Sequence, residues 1–125
     1  MRDDAGGASD FRFRKRERIR ARRDIGAVFQ NGAKWSVKGM RLHVLRTDGA
    51  GNRAVFVTVR KYGDAVRRNR ARRVVSECYR LAKAAISPGH DLAFVIFPGP
   101  DDAVSRRPQV LELLRRSGLA RANHA

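Results

Sequence analysis

Groups able to do acid–base or nucleophilic chemistry are few in this chain and far apart. Hydrolysis would need a general base with a nucleophile, or ligands converging on a metal. The three histidines, His43, His90 and His124, fall on an expected strand, an expected loop and the C-terminal tail, and no HxH, CxxC or HExxH spacing occurs. The close carboxylate pairs, Asp3–Asp4 and Asp101–Asp102, lie in an expected leader and a loop, whereas a two-metal nuclease needs several carboxylates around one point. Cys78 is the single cysteine, so neither an internal disulfide nor a cysteine-based metal site can form. These patterns yield no catalytic residue and no metal or cofactor held by the protein alone. A small nuclease would require carboxylates such as Asp64, Asp91 and Glu112 to meet in space.

Positive charge is what the chain does offer. Lys and Arg number 28 against 12 Asp and Glu, a net charge of +16 on 125 residues, and 23 of the cations are arginine. Arginine presents a planar fork of donors that grips phosphate bidentately and stacks on bases, whereas lysine is a hydrated point charge. The cations are also clustered. Arg12 to Arg23 holds eight of them and Arg60 to Arg73 holds seven, so 15 of the 28 occupy two short runs. This footprint indicates nucleic acid as the partner, with an anionic membrane surface as the alternative polyanion.

The second run, RKYGDAVRRNRARR, places its arginines in the first turns of an expected helix. The helix macrodipole disfavours cations there by a few tenths of a kcal/mol each. That cost is offset if phosphate is the neighbour, because both the arginines and the helix N-terminus attract it. Asn69 among them can donate and accept, which suits a base edge or a 2′-hydroxyl.

The elements that must position these groups follow from periodicity. Residues 1–11 read as a disordered leader, and the basic run after them as an extended arm. Asp24 to Asn31 carries Ile25, Val28 and Phe29 on one face of a short helix, with Gly26 weakening it and Gly32 placed for a left-handed C′ residue. Met40 to Arg46 alternates as a half-buried strand, and Ala54 to Val59 reads as a central strand or one buried on both faces, pairing antiparallel with it across the TDGAGN turn. Asp64 is placed to cap a helix from Ala65 to Ile86, with Ala71, Val74, Val75, Cys78, Leu81, Ala82 and Ala85 on its apolar stripe. Leu92 to Phe97 reads as a buried strand. Val104 to Leu114 reads as a last helix facing Val110, Leu111 and Leu114 inward, before a flexible tail over 117–125. Trp35, Phe56 and Phe94 read as core residues. The order is α-β-β-α-β-α, with room for one more strand, in a single α+β domain over 12–116.

The same composition sets the class. The length suits one domain, and 42% hydrophobic residues suffice for one core. The longest apolar run, Leu92 to Phe97, is far short of the roughly 20 residues that span a bilayer. The basic N-terminal segment has no apolar stretch of a secretory signal behind it. A cytoplasmic protein is expected.

The run from Lys61 to Arg73, centred on Arg68-Asn69-Arg70, closely resembles the signature of the bacterial ribonuclease P protein subunit. RIRARRDIGAVFQNG (Arg18 to Gly32) is similar to that family's arm and first helix, and Asp91 to Phe97 to its last strand. The resemblance implies a mixed β-sheet flanked by helices with a left-handed βαβ crossover from Val59 to Leu92, an arrangement shared with a domain of a small-subunit ribosomal protein. It implies a non-catalytic protein cofactor of an endoribonuclease whose chemistry is carried by RNA with Mg2+ bound mainly by that RNA. Its partners would be the catalytic RNA and precursor tRNA, with no DNA, membrane or obligate protein partner, and its role the maturation of tRNA 5′ ends. Carried over by position, Arg60, Lys61, Arg68, Asn69, Arg70, Arg72 and Arg73 would bind the catalytic RNA. Ile25, Phe29, Met40 and His43 would line a cleft for the 5′ leader. Ile25 stands where the family usually has an aromatic, Val55 where glycine is common and Phe97 where arginine is frequent. A ribosomal-type RNA-binding protein is the alternative, and no helix-turn-helix spacing supports DNA.

Overall fold

The computed structural model describes residues 13–120, so the expected leader over 1–11 and the end of the expected tail lie outside the described residues. Three helices, α1 (Arg22–Asn31), α2 (Ala65–Ala82) and α3 (Ala103–Arg116), surround four strands, β1 (Ala33–Val37), β2 (Met40–Arg46), β3 (Arg53–Thr58) and β4 (His90–Ile96). The sheet order is β1-β2-β4-β3, with β4 antiparallel to β2 and parallel to β3. The α+β class and the mixed sheet agree with the sequence reading, and β1 fills the place left for a further strand.

The pairing of β2 with β3 does not form. The run Leu92 to Ile96 is apolar on both faces and buried throughout, so it gains most from the middle of the sheet, where both faces are covered. β4 therefore inserts between β2 and β3, and the 47–52 segment becomes a connection across it rather than a hairpin turn. β3, read as a central strand, is an edge strand. Its outer side is met in part by the N-terminal arm, where Arg18 bridges Ala54 and the Ile19 amide donates to the Ala54 carbonyl at 3.0 Å.

Register assigns the two faces. Met40, Leu42 and Val44 lie opposite Ile96, Phe94 and Leu92, which align in turn with Thr58, Phe56 and Ala54. That face packs under α2 and α3 and forms the main core with Ala71, Val75, Cys78, Tyr79, Val110, Leu113 and Leu114. Phe56 stacks on Phe94 with ring centroids 5.4 Å apart, and Phe13 of the arm meets Phe56 and Tyr79 edge-on at 5.8 Å. The other face carries a smaller cluster of Ile19, Val28 and Ala93, ringed by Ile25, Phe29, Leu45 and Val55, under α1.

Both long helices are turned slightly from their expected stripes. In α2 the buried set includes Tyr79 and excludes Leu81, which is 53% exposed, because the Tyr79 ring joins the aromatic cluster over β3. In α3 Leu113 and Arg106 face inward while Leu111 is exposed. Asp64 and Asp102 cap α2 and α3, accepting from the Arg67 and Ser105 amides at 2.9 and 2.8 Å. Residues 117–120, expected to begin a flexible tail, fold back instead. Leu119 is buried, and Ala120 bridges Ile86.

The left-handed residue after a helix belongs to α3, at Gly118 (φ 79°), not to α1. Gly32 has an extended backbone (φ −78°, ψ 155°). It is glycine because of close approach: a Cβ there would lie 2.6 Å from the Val28 carbonyl oxygen and 2.8 Å from that of Val44. Neither atom can rotate away. Gly26, by contrast, faces open space. Thermal denaturation should separate the two. Gly32→Ala is expected to destabilise the fold by about 1–3 kcal/mol, and Gly26→Ala to stabilise it by about 0.5–1 kcal/mol through helix propensity.

Candidate nucleic-acid interface

The RNR triplet lies in the first half of α2, where residues two apart emerge on nearly opposite sides of the helix. Arg68 turns back toward the loop before α2. It donates to the carbonyls of Gly63 (3.0 Å) and Arg60 and to the Thr58 hydroxyl (3.1 Å). Arg70 leans the other way, its Nε donating to the Asp101 carbonyl at 3.2 Å. Asn69 lies between them, exposed, and accepts from Arg72, which also reaches Thr58 at 3.5 Å. Arg60, Lys61 and Arg73 are exposed. Seven candidate residues thus share one end of α2 and its entry loop, but in two roles. Arg68 braces the loop with most of its donors, while Arg70 and Arg73 leave theirs largely available.

The structure adds what spacing could not show. A groove of about 880 Å³ runs between the arm, the open edge of β3 and α2. Arg18 and Arg20 from the arm face Arg72, Arg73 and Arg80 from α2 across it, with Glu77 as its acidic member. The two basic runs of the sequence therefore converge on one channel. Arg18 is held there by the Phe13 ring, 4.5 Å beneath its guanidinium, and Phe13 is held by the core. A cation fixed this way loses little freedom on meeting phosphate.

On the opposite face, Ile25 and Phe29 project from one side of α1 beside Val55 of β3. His43 lies beneath Phe29, ring centroids 4.7 Å apart in an edge-on contact, and is itself only 6% exposed. It supports the Phe29 ring from below. Met40 is not in this strip. Residues 40 and 43 differ in parity, and strand side chains alternate between faces, so Met40 is fully buried in the core under α2 and α3. The apolar surface on this side is formed by Ile25, Phe29 and Val55, with Met40 removed from the set.

Among the described residues, the carboxylates are spread over separate contacts. Asp64 caps α2, Asp91 pairs with Arg53 at 2.7 Å, and Glu112 pairs with Arg115 and Arg116 along α3. Among the described residues no group of three or more His, Cys, Asp or Glu could hold a metal ion. No helix among them is long and apolar enough to cross a membrane.

The pattern of the Ribonuclease P family matches residues 13–116, nearly all of the described chain. The chain belongs to the ribonuclease P protein family. The ribonuclease P protein component of Chloroflexus aggregans is 36% identical over 100 residues, covering 80% of this chain and 67% of that protein. That of Thermotoga maritima is 34% identical over 112 residues, covering 83% and 94%. The solved RNase P protein from Thermotoga maritima superposes with a TM-score of 0.70 at 30% identity, over 80% of this chain and 96% of that one. The Staphylococcus aureus protein superposes at 0.72 over 84% and 98%, and at 16% identity carries the fold alone.

His43 is expected to make the stability of this chain depend on pH. Burial, then the charges of Arg41 and Lys34, hold its pKa below the ordinary 6.5. Its Nε2 accepts from Arg41 Nε at 2.9 Å, so the neutral ring carries its proton on Nδ1, which is buried and has no partner among the described residues. The folded chain binds this proton less readily than the unfolded chain. Stability from this group is complete above pH 6.5 and falls as the pH drops below it. Denaturant titrations from about pH 7.5 to about pH 5.5 should show that decline. His43→Gln, which has no charge to gain, is expected to flatten it.

Proposed function

We propose that this chain is the protein subunit of a ribonuclease P ribonucleoprotein that removes the 5′ leader of precursor tRNA. In this reading the arginine channel and the RNR end of α2 hold the catalytic RNA, and the strip of Ile25, Phe29 and Val55 holds the single-stranded leader. The observation that carries it is the convergence of both basic runs on one channel beside an RNR helix. The work left to such a protein is electrostatic. Arginines compensate phosphate repulsion as RNA segments approach, which lowers the concentration of Mg2+ the RNA needs. In this reading the ion is held mainly by the RNA. Base stacking on an apolar strip is tolerant of sequence and is worth about 1–3 kcal/mol per base.

The deciding assay is cleavage of precursor tRNA by a bacterial ribonuclease P RNA at low magnesium, with and without the protein. Strong stimulation at stoichiometric protein is the expected result. Tight RNA binding without stimulation would instead favour a ribosomal-type structural role. Within the holoenzyme, Arg70→Ala with Arg73→Ala should weaken binding of the catalytic RNA and reduce the slope of log affinity against log salt by about one to two units. Both side chains leave the core untouched, so thermal stability should change little. An unchanged slope would remove this face from the interface.

Phe29→Ala tests the other surface. It should lower affinity for precursor tRNA while leaving mature tRNA and catalytic RNA binding intact, by about 1–3 kcal/mol if one base is lost from the stack. Equal losses on precursor and mature tRNA would place the leader elsewhere.

A further inference from the structure

Arg106 is the largest fully buried side chain among the described residues, with 0% exposure. Its guanidinium makes contacts in four places at once. Nε and NH2 donate to Asp101 Oδ1 at 3.2 and 2.9 Å, and NH2 also donates to the Tyr62 hydroxyl and the Phe97 carbonyl, each at 2.8 Å. NH1 donates to the Gly39 carbonyl at 3.1 Å and to Gln109 Oε1 at 2.9 Å. Tyr62 in turn donates to Asp101 Oδ1 at 2.5 Å. One cation thus ties the β1–β2 turn, the entry to α2, the end of β4 and the start of α3.

Such a residue is a poor choice if stability alone is at stake. Removing a guanidinium from water costs several kcal/mol, and buried ion pairs are often no more stabilising than apolar side chains of similar volume. What distinguishes Arg106 is where two of its three side-chain partners, Asp101 and Tyr62, lead. The Asp101 carbonyl receives Arg70, and the Tyr62 ring lies 5.8 Å under the Arg67 guanidinium. Arg67 and Arg70 are three residues apart on α2, hence on neighbouring positions of its surface. Both rest on groups that Arg106 holds in place.

We infer that Arg106 is a positioning residue for the RNA-binding face: through Asp101 and Tyr62 it fixes the Arg70 and Arg67 guanidinia in the geometry that meets phosphate. This rests on the RNA-binding reading of α2. It extends the site to a side chain that RNA never touches. Arginines held before binding lose less side-chain freedom when the RNA arrives, so the contribution appears in affinity.

A double-mutant cycle on the full chain, read with a bacterial ribonuclease P RNA transcript, tests it. Arg106→Met, an apolar replacement of comparable length, is expected to stay folded by circular dichroism and to weaken RNA affinity by about 3- to 10-fold. Arg70→Ala should weaken it too. The double variant should lose clearly less than the product of the two single losses, because positioning is worth less once the positioned side chain is gone. A merely structural role for Arg106 would give independent, multiplying losses or none, and either would overturn the inference. Should Arg106→Met fail to fold, Tyr62→Phe removes only the hydroxyl, and its cycle with Arg67→Ala must show the same coupling. Unchanged affinity in Arg70→Ala alone would overturn the RNA-face reading as well. A loss in Arg70→Ala with no coupling to Arg106 would overturn the positioning role and leave that reading standing.

Discussion

Self-repulsion governs this molecule. A chain with a net charge of +16 must fold 28 cations around one core with only 12 acids to offset them, and where those acids go decides which cations remain available. Of the nine acidic residues in the described part, eight make structural bonds. Asp64 and Asp102 cap helices. Asp24 and Asp91 clasp Arg53 between α1 and β4. Glu17 joins the arm to Lys83 at 2.7 Å, and Asp101 holds Arg106 inside. Glu77 and Glu112 pair along their own helices. Only Asp48 is left over. The acids brace the fold, and the first half of α2 carries no acid beyond its cap, which leaves its arginines facing outward and uncompensated.

The position of β4 follows from apolar burial instead. The sheet needs one strand able to lie between helices on both faces, and Leu92 to Ile96 is the run apolar enough to do so. With β4 in the centre, the connection through α2 must return to it in parallel from β3, which brings the RNR helix over the β3 side of the sheet. The arm then has one open edge to meet, and Phe13 and Ile19 secure it there through the aromatic cluster and the smaller cluster. The arginine channel follows from this arrangement: it is the space left between an arm and a helix that share an edge strand.

Much of this was legible in the residues. The stripe of α2, the Asp64 cap and the alternation of β2 are local signals, and the structure reproduces them to within a turn. β1 was not, since Trp35 and Val37 are its only inward-leaning apolar side chains in five residues, too few to establish a period. The strand order was not legible either, because α2 separates β4 from both of its neighbours, β2 and β3, and pairing across it leaves no mark on any of the three strands. At the site, the arginines were found by their spacing and their placement against the helix dipole. Met40 lies on the far face of the sheet from His43, as strand parity requires. Arg106 also left a trace, as a cation one turn before Val110 and two turns before Leu113 on the stripe α3 buries. Read alone, that is an exposed arginine at the margin of a stripe, and only the tertiary position of Asp101 and Tyr62 turns it inward.

Placing cations at the N-terminal end of a helix works against the macrodipole, and here the fold contains the cost in two ways. Asp64 accepts from the Arg67 amide and adds negative charge at the cap, and Arg68 curls back to two carbonyls of the entry loop and the Thr58 hydroxyl at the end of β3. Arg70 is drawn to a backbone carbonyl on the next element. The two guanidinia meet carbonyl and hydroxyl oxygens rather than carboxylates, so their positive charge is steadied without being neutralised. A carboxylate in the same place would stabilise the free protein and then compete with phosphate for the same donors. Carbonyl and hydroxyl acceptors hold the arginines more weakly, which leaves them organised in the free protein yet able to exchange these partners for a polyanion.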